Sequence, residues 1–375
     1  MHQNLLFDSA EEARALSVGE LSMAVCPTCS FVFNRAFDPG LLSYGEHYDN
    51  AQNFSPAFES HVDALVDRLV NQKGVRDCSV VEVGCGKGEF LRKLIDRSDV
   101  NNRGWGFDPA YLGPDEDLDG RLKFHRCFYD ENCAETVADV VVCRHVIEHV
   151  PEPRDLLSNI RAALSGSPNA RVFFETPCVE WILRNEVAWD FFYEHCSLFT
   201  DTSLARVFEE CGFEVCGVDH VFGGQYLWLE AVVSQNQSTG GTLTTAPSVL
   251  SRLATSYGET EIQRNDRWQN QITAQRNNGA MALWGAGAKG VTFANLIDCD
   301  ATQFAAVVDV NPNKQGKFLA GTGHPIIAPA ELVRHGVRTV LVLNPNYLSE
   351  IRADLASQGM AVSVIDLMNQ GAVAA

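Results

Sequence analysis

One stretch constrains the fold of this chain more than any other: Val80-Val81-Glu82-Val83-Gly84-Cys85-Gly86-Lys87-Gly88. An apolar run from Cys78 to Val83 ends directly on glycines at 84, 86 and 88. Phe90, Leu91, Leu94 and Ile95 follow at the spacing of a helix with one buried stripe. A strand that turns at once into a helix needs a sharply bent backbone with room above the bend, which glycine allows. Such a unit belongs to a mostly parallel sheet with helices on both faces. From residue 78 to about 233 strand-like and helix-like segments alternate as that α/β architecture requires.

A strand–glycine–helix turn serves several nucleotide-type ligands, so its neighbours decide which. Glu82 lies inside the strand end, giving Glu-x-Gly-x-Gly-x-Gly, and Gly106-Phe107-Asp108 ends the next strand. A carboxylate at Asp108 suits the two ribose hydroxyls of an adenosine. Phe128-Tyr129-Asp130 follows the third strand, where Phe128 and Tyr129 are placed to flank adenine. Asp139 to Cys143 reads as the central strand and runs into Arg144-His145-Val146-Ile147-Glu148-His149, then Pro151 and Pro153. Ligands in open α/β sheets sit beyond the carboxyl ends of the strands, so Arg144 and His145 should face the cofactor and His149 the substrate. Together these features favour S-adenosylmethionine (SAM) over a dinucleotide.

At 375 residues the chain exceeds what one core usually serves, and two domains are expected. Residues 1–55 read as an irregular N-terminal segment, 56–233 as the SAM domain, 234–247 as a linker and 248–375 as a second Rossmann-like α/β domain. Ser55-Pro56 opens the first helix as an N-cap followed by proline. The linker is polar, glycine-bearing and rich in threonine. The second domain carries its own turn, Trp284-Gly285-Ala286-Gly287-Ala288-Lys289-Gly290, with Asp309 ending the following strand. On its face that pattern also fits NAD, and an NAD-dependent oxidoreductase is the rival reading. Lys plus Arg is 29 and Asp plus Glu 48, a formal charge of −19 that disfavours a nucleic-acid partner. No run approaches a membrane span, and the acidic N-terminus does not read as a signal peptide. Scattered cysteines inside apolar runs (Cys143, Cys178, Cys216) fit reduced thiols and a cytoplasmic protein. Nothing in the sequence sets an oligomeric state.

With these motifs the chain resembles the class I SAM-dependent methyltransferases over residues 78–233. A narrower resemblance rests on Tyr193-Glu194-His195-Cys196-Ser197-Leu198-Phe199-Thr200, the turn at 284–290 and Val308-Asp309-Val310-Asn311-Pro312-Asn313-Lys314-Gln315-Gly316-Lys317. Asn4-Leu5-Leu6 and the stretch Tyr44 to Ser55 add to it. These are similar to bacterial nucleotide-sugar C-methyltransferases, which join a zinc-binding N-terminal part, a SAM domain and a C-terminal Rossmann-like domain. The resemblance implies C-methylation of a nucleotide-linked keto-deoxysugar, with a sugar O-methyltransferase as the neighbouring alternative. It gives the C-terminal domain a substrate-holding role, with Lys289, Asn311 and Lys314 suited to a diphosphate.

For such a reaction a base must remove the proton beside the ketone. His195 is the expected base, since an unperturbed imidazole titrates near working pH. Glu194 is expected to orient it and Tyr193 to bind the oxyanion, with His145 and His149 as the next candidates for the base. Tyr44, Tyr48 and Gln225 are expected to line the substrate side. The family carries Tyr-His-Glu-His where this chain has Phe192-Tyr193-Glu194-His195, so its tyrosine is displaced by one position. The family's zinc site takes two Cys-x-x-Cys pairs, and here only Cys26-Pro27-Thr28-Cys29 is present. A structural zinc needs four ligands; His2 offers a third at most, and a remnant pair in a shortened N-terminus is preferred over bound zinc. His145 and His149 are spaced like a metal pair, but the sequence shows no third ligand, so no metal is expected there.

Overall fold

A computed structural model describes residues 4–42, 54–133, 135–234 and 249–368. The first sheet is built from β1 (Ser79–Val83), β2 (Arg103–Phe107), β3 (Leu122–His125), β4 (Val140–Arg144), β5 (Arg171–Pro177), β6 (Phe213–Val221) and β7 (Tyr226–Val233). Their spatial order is β6-β7-β5-β4-β1-β2-β3, with the short strand Glu116–Asp117 on the outer edge of β3. β7 runs antiparallel to both neighbours, while β1 to β5 are mutually parallel. The reversal of strand order at β1 and β4 creates the crevice where such sheets bind ligands.

Alternation along the strands produces two core layers. Val81, Val83, Val141, Cys143, Val172 and Phe174 face one side, and Val80, Val140, Val142 and Phe173 the other. Both layers are fully covered, which explains why the inner strands read as near-continuous apolar runs. The helix Pro56–Asp67 opens as its sequence implies, with the Ser55 hydroxyl accepting from the Phe58 N–H at 3.2 Å. It buries Phe58, Val62, Leu65 and Val66 against the second layer.

The C-terminal sheet consists of β8 (Ala280–Trp284), β9 (Phe304–Val308), β10 (Ile326–Ile327), β11 (Val337–Val342) and β12 (Ser363–Asp366), all parallel, in the order β10-β9-β8-β11-β12. An aromatic contact joins the halves: Trp189 packs against Trp268 at 5.2 Å and Phe293 at 5.3 Å between ring centroids. A reciprocal amide pair adds polar fastening. The Gln225 side chain donates to Asn344 at 2.7 Å and accepts from it at 3.0 Å. Glu350 also reaches across, accepting from the Ser55 hydroxyl and the Ala57 N–H, both at 2.8 Å, at the positive end of the 56–67 helix.

The N-terminal segment does not stand apart from either sheet. Leu6–Phe7 pairs antiparallel with Phe318–Leu319 of the C-terminal half. The hairpin of Met23–Val25 and Val32–Asn34 continues through Ser197–Leu198 beside the His195 segment. Among the described residues no helix is long and apolar enough to cross a membrane.

Candidate active site

The glycine turn sits at the carboxyl end of β1, as the sequence implies, and is packed tightly from outside. A Cβ at Gly84 would lie 2.2 Å from Val146 Cγ2, so the turn abuts the segment that leaves β4. Gly84, Gly86 and Gly88 all have positive φ. The Asp108 carboxylate accepts from the Gly86 N–H at 2.9 Å and the Ala110 N–H at 2.8 Å. The Phe107 carbonyl takes the N–H groups of Gly84 (2.8 Å) and Cys85 (3.3 Å). The turn is thus set by its own backbone, with Asp108 at its rim. Beneath it Glu82 is buried, and its Oε2 has no partner among the described residues. Burial pushes the Glu82 carboxyl up to about 8, against the nearby Arg144 guanidinium, which lowers it. A buried acid with one unpartnered oxygen, beneath a turn that opens outward at Gly86, fits the α-ammonium and ribose ends of SAM.

Behind this turn the ends of β4 and β5 form a buried charge network. Glu175 receives Arg144 Nε at 2.7 Å and His61 Nε2 at 2.5 Å, with His145 Nε2 at 3.4 Å. His145 Nδ1 lies 3.2 Å from Glu148, whose other oxygen accepts from the Thr176 hydroxyl at 3.0 Å. Burial would lower the His145 imidazole, but the Glu175 and Glu148 carboxylates raise it to about 9. Burial would raise Glu148, but His145 first, with His195 and His149, brings it down to about 2. His145 therefore behaves as an imidazolium bridging two carboxylates. It also holds φ 52°, a strained backbone for a residue with a side chain.

Next to the network a cavity opens between the two sheets. One wall carries His145, Glu148, His149, Glu194 and His195; the other carries Gly287, Lys289, Asn311 and Lys314. His195 meets His149 edge to face at 4.7 Å, and its Nδ1 is buried with no partner among the described residues. Burial, then the neighbouring His149, pushes His195 down to about 3, despite the Glu148 and Glu194 carboxylates. Burial and His149 thus favour the neutral imidazole, against the expectation of a base titrating near neutrality.

On the opposite wall the helix Ala288–Ile297 starts after Gly287 with no side-chain cap. A Cβ at Gly290 would lie 1.8 Å from the Gly285 carbonyl oxygen, so this helix can press onto its turn only through glycine. Lys314 is buried and its ammonium donates to the Ala286 carbonyl at 3.3 Å. Asn311 is buried beside it, with its side-chain oxygen accepting from the Asn313 N–H at 2.9 Å.

Several expected roles are displaced. Tyr193 does not line the cavity; its buried hydroxyl accepts from the Asp38 N–H at 2.8 Å and its ring packs on Phe37. It anchors the N-terminal segment instead of an oxyanion. Lys289 lines the cavity but is ion-paired with the buried Asp190, which leaves Lys314 as the cation better placed for an anion. Gln225 lines the cavity with its amide already taken by Asn344. The pair expected around adenine splits: Phe128 is 75% exposed, whereas Tyr129 is buried against Phe107 at 4.9 Å. The Cys85 side chain points into the core toward Gly106, so only its backbone is offered to a ligand. Tyr44, Tyr48 and His2 lie outside the described residues.

The metal reading also changes. Cys26 and Cys29 sit in the turn of the N-terminal hairpin, and no third potential ligand joins them among the described residues. In the cavity, Glu148, His149 and His195 gather as a possible set of three. The set keeps only His149 of the spaced pair His145 and His149: Glu148 stands in place of His145, and His195 arrives from a distant part of the chain. Sequence reasoning also missed His61 and Asn344. Neither belongs to a motif, and only the folded positions of Glu175 and Gln225 reveal them.

Comparison with known proteins agrees with this architecture. Residues 54–217 match the family described as a methyltransferase domain, and residues 253–362 match the C-methyltransferase C-terminal domain. C-methyltransferase NovU from Streptomyces niveus is 26% identical over 372 aligned residues, covering 93% of this chain and 85% of the relative. A ubiquinone biosynthesis O-methyltransferase from Yersinia enterocolitica is 28% identical over 151 residues, covering 38% of this chain and 58% of the relative. Among solved structures, the PH0226 protein from Pyrococcus horikoshii OT3 aligns with a TM-score of 0.38 and 14% identity, over 51% of this chain and all of that one. Strand order, glycine turn and family match together define a class I SAM-dependent methyltransferase. The chain thus carries a methyltransferase domain followed by a C-methyltransferase C-terminal domain, and across both it is similar to C-methyltransferase NovU. The match at 253–362 is to a domain of C-methyltransferases, which favours the methyltransferase reading over an NAD-dependent oxidoreductase.

Proposed function

We propose that the protein methylates a carbon beside the ketone of a nucleotide-linked keto-deoxysugar. The observation that carries this reading is the shared cavity, which has histidines and carboxylates on one wall and an uncapped helix with a buried lysine on the other. Such a cavity suits a molecule that is reactive at one end and anionic at the other. SAM, when bound at the first glycine turn, would supply the electrophilic methyl group, with Glu82, Gly86 and Asp108 as the residues that would hold it.

The remaining chemistry falls to the chain. The N-terminus of helix Ala288–Ile297 and the Lys314 ammonium hold the diphosphate. That grip fixes the sugar ring against the opposite wall, so that the reacting carbon is held rather than found by diffusion. Neutral His195 removes the α-proton, leaving an enolate whose carbon takes the methyl. The Glu148 and Glu194 carboxylates then stabilise the imidazolium that forms. The His145 imidazolium keeps Glu148 anionic and in place.

The test is direct. Purified protein is incubated with methyl-labelled SAM and nucleoside-diphosphate 4-keto-deoxysugars, and the methyl position is read by NMR. A new carbon–methyl bond next to the ketone supports the reading. Methylation on a hydroxyl oxygen would replace it with sugar O-methylation.

A further inference from the structure

At the head of the cavity, one oxygen of Glu148 and one nitrogen each of His149 and His195 lie within 4.8 Å of one another. Glu148 is fully buried and the two imidazole planes stand at 88°. The carboxylate is already oriented, by His145 at 3.2 Å and the Thr176 hydroxyl at 3.0 Å, as outer partners orient a metal ligand. His195 Nδ1 is buried without a hydrogen-bond partner among the described residues, an unexplained polar atom at the same place.

From this geometry we propose that Glu148, His149 and His195 form an open site for a borderline divalent cation of the zinc or cobalt type. Two imidazoles and one carboxylate are the donors such ions prefer. Tetrahedral coordination at the usual metal–nitrogen length needs donors about 3.3 Å apart. The trio must therefore draw in modestly, which His149, at the end of the short turn Ile147–His149, allows. All three residues line the cavity, so the fourth position faces the acceptor, as in sites that keep one place for water or substrate.

A consequence for activity rests on the reading given under Proposed function. The cation and the α-proton compete for His195, so metal binding inhibits methyl transfer. The binding itself does not depend on that reading.

The full chain carrying Cys26→Ser and Cys29→Ser is stripped with EDTA and titrated with Co²⁺, read by visible absorption. The substitutions remove the other candidate ligands. One equivalent per chain is expected, and His149→Ala should weaken it about tenfold or more while calorimetric SAM affinity stays unchanged. Failure to bind Co²⁺ saturably, or binding unchanged by His149→Ala, overturns the site. Turnover separates the two readings. Activity in EDTA that falls on adding Co²⁺ supports both the site and its inhibitory role. Activity that is absent in EDTA and restored by Co²⁺ keeps the site but overturns inhibition and the assignment of His195 as base.

Discussion

The two glycine turns of this protein share a scaffold and differ in what they offer a ligand. In each, an aspartate after the second strand binds the turn: Asp108 takes the N–H groups of Gly86 and Ala110, and Asp309 those of Ala286 and Asn311. The residue two before the first glycine separates them. At the first turn it is Glu82, a buried acid with an orphaned oxygen; at the second it is Leu283, wholly apolar and buried. Behind the second turn lies the Lys314 ammonium. The aspartate is therefore a feature of the bend, and by itself distinguishes neither SAM from NAD nor donor from acceptor. What differs is the buried group beneath or behind the bend: a carboxyl that burial holds protonated up to about 8 at the first turn, and an ammonium at the second.

That contrast is open to direct attack. The largest expected effect comes from the wall between the turns. His195→Ala should lower methyl transfer about 100- to 10,000-fold while SAM affinity by calorimetry holds; undiminished turnover would move the base elsewhere. Next, Lys314→Met should raise the acceptor KM by about 10- to 100-fold, the worth of one charge-assisted hydrogen bond, and leave the Kd for SAM alone. Loss of SAM binding in that variant would dissolve the division of labour. Asp108→Asn should do the reverse, weakening SAM by about tenfold with the acceptor KM unmoved.

Two smaller effects concern pH. The Glu82 carboxyl stays protonated in the fold up to about 8, whereas the unfolded chain ionises it from its ordinary 4.5 upward. The unfolded state thus releases a proton first, and stability falls as pH rises between those values. Glu82→Gln should flatten that slope, as read from urea midpoints at several pH values without SAM. Finally, His195 held near 3 predicts that kcat/KM shows no acid limb from His195 as pH is lowered to about 5. A limb centred near an ordinary histidine value of about 6.5 would mean that His195 titrates normally in the free enzyme and would overturn the depressed value.

Much of the fold was legible because local and long-range demands coincide. The apolar runs at 80–83, interrupted by Glu82, at 140–143 and at 172–174, and the glycine turns all follow from burial on both faces of a parallel sheet. The bend itself was legible where a motif carries its own geometry, as at Gly84 and Asp108. It was misread where partners come from elsewhere in the chain. Tyr193 reads as a catalytic tyrosine until Asp38 is seen to hold its hydroxyl. Lys289 reads as a phosphate ligand until Asp190 pairs with it. The depressed basicity of His195 was invisible because it arises from enclosure and from His149, neither of which has a local signature.

The strap formed by the first residues bears on how the molecule is assembled. The Arg14 guanidinium donates to the Thr322 carbonyl, 308 residues further along the chain, and Leu6–Phe7 closes on Phe318–Leu319 nearby. During synthesis Leu6–Phe7 and Arg14 must wait for the segment around 318–322 before these pairings can form. Contacts of such long sequence separation form late. The 6–14 segment thus acts as a latch closing on the C-terminal sheet, and its protection from proteolysis should appear only after that sheet has formed.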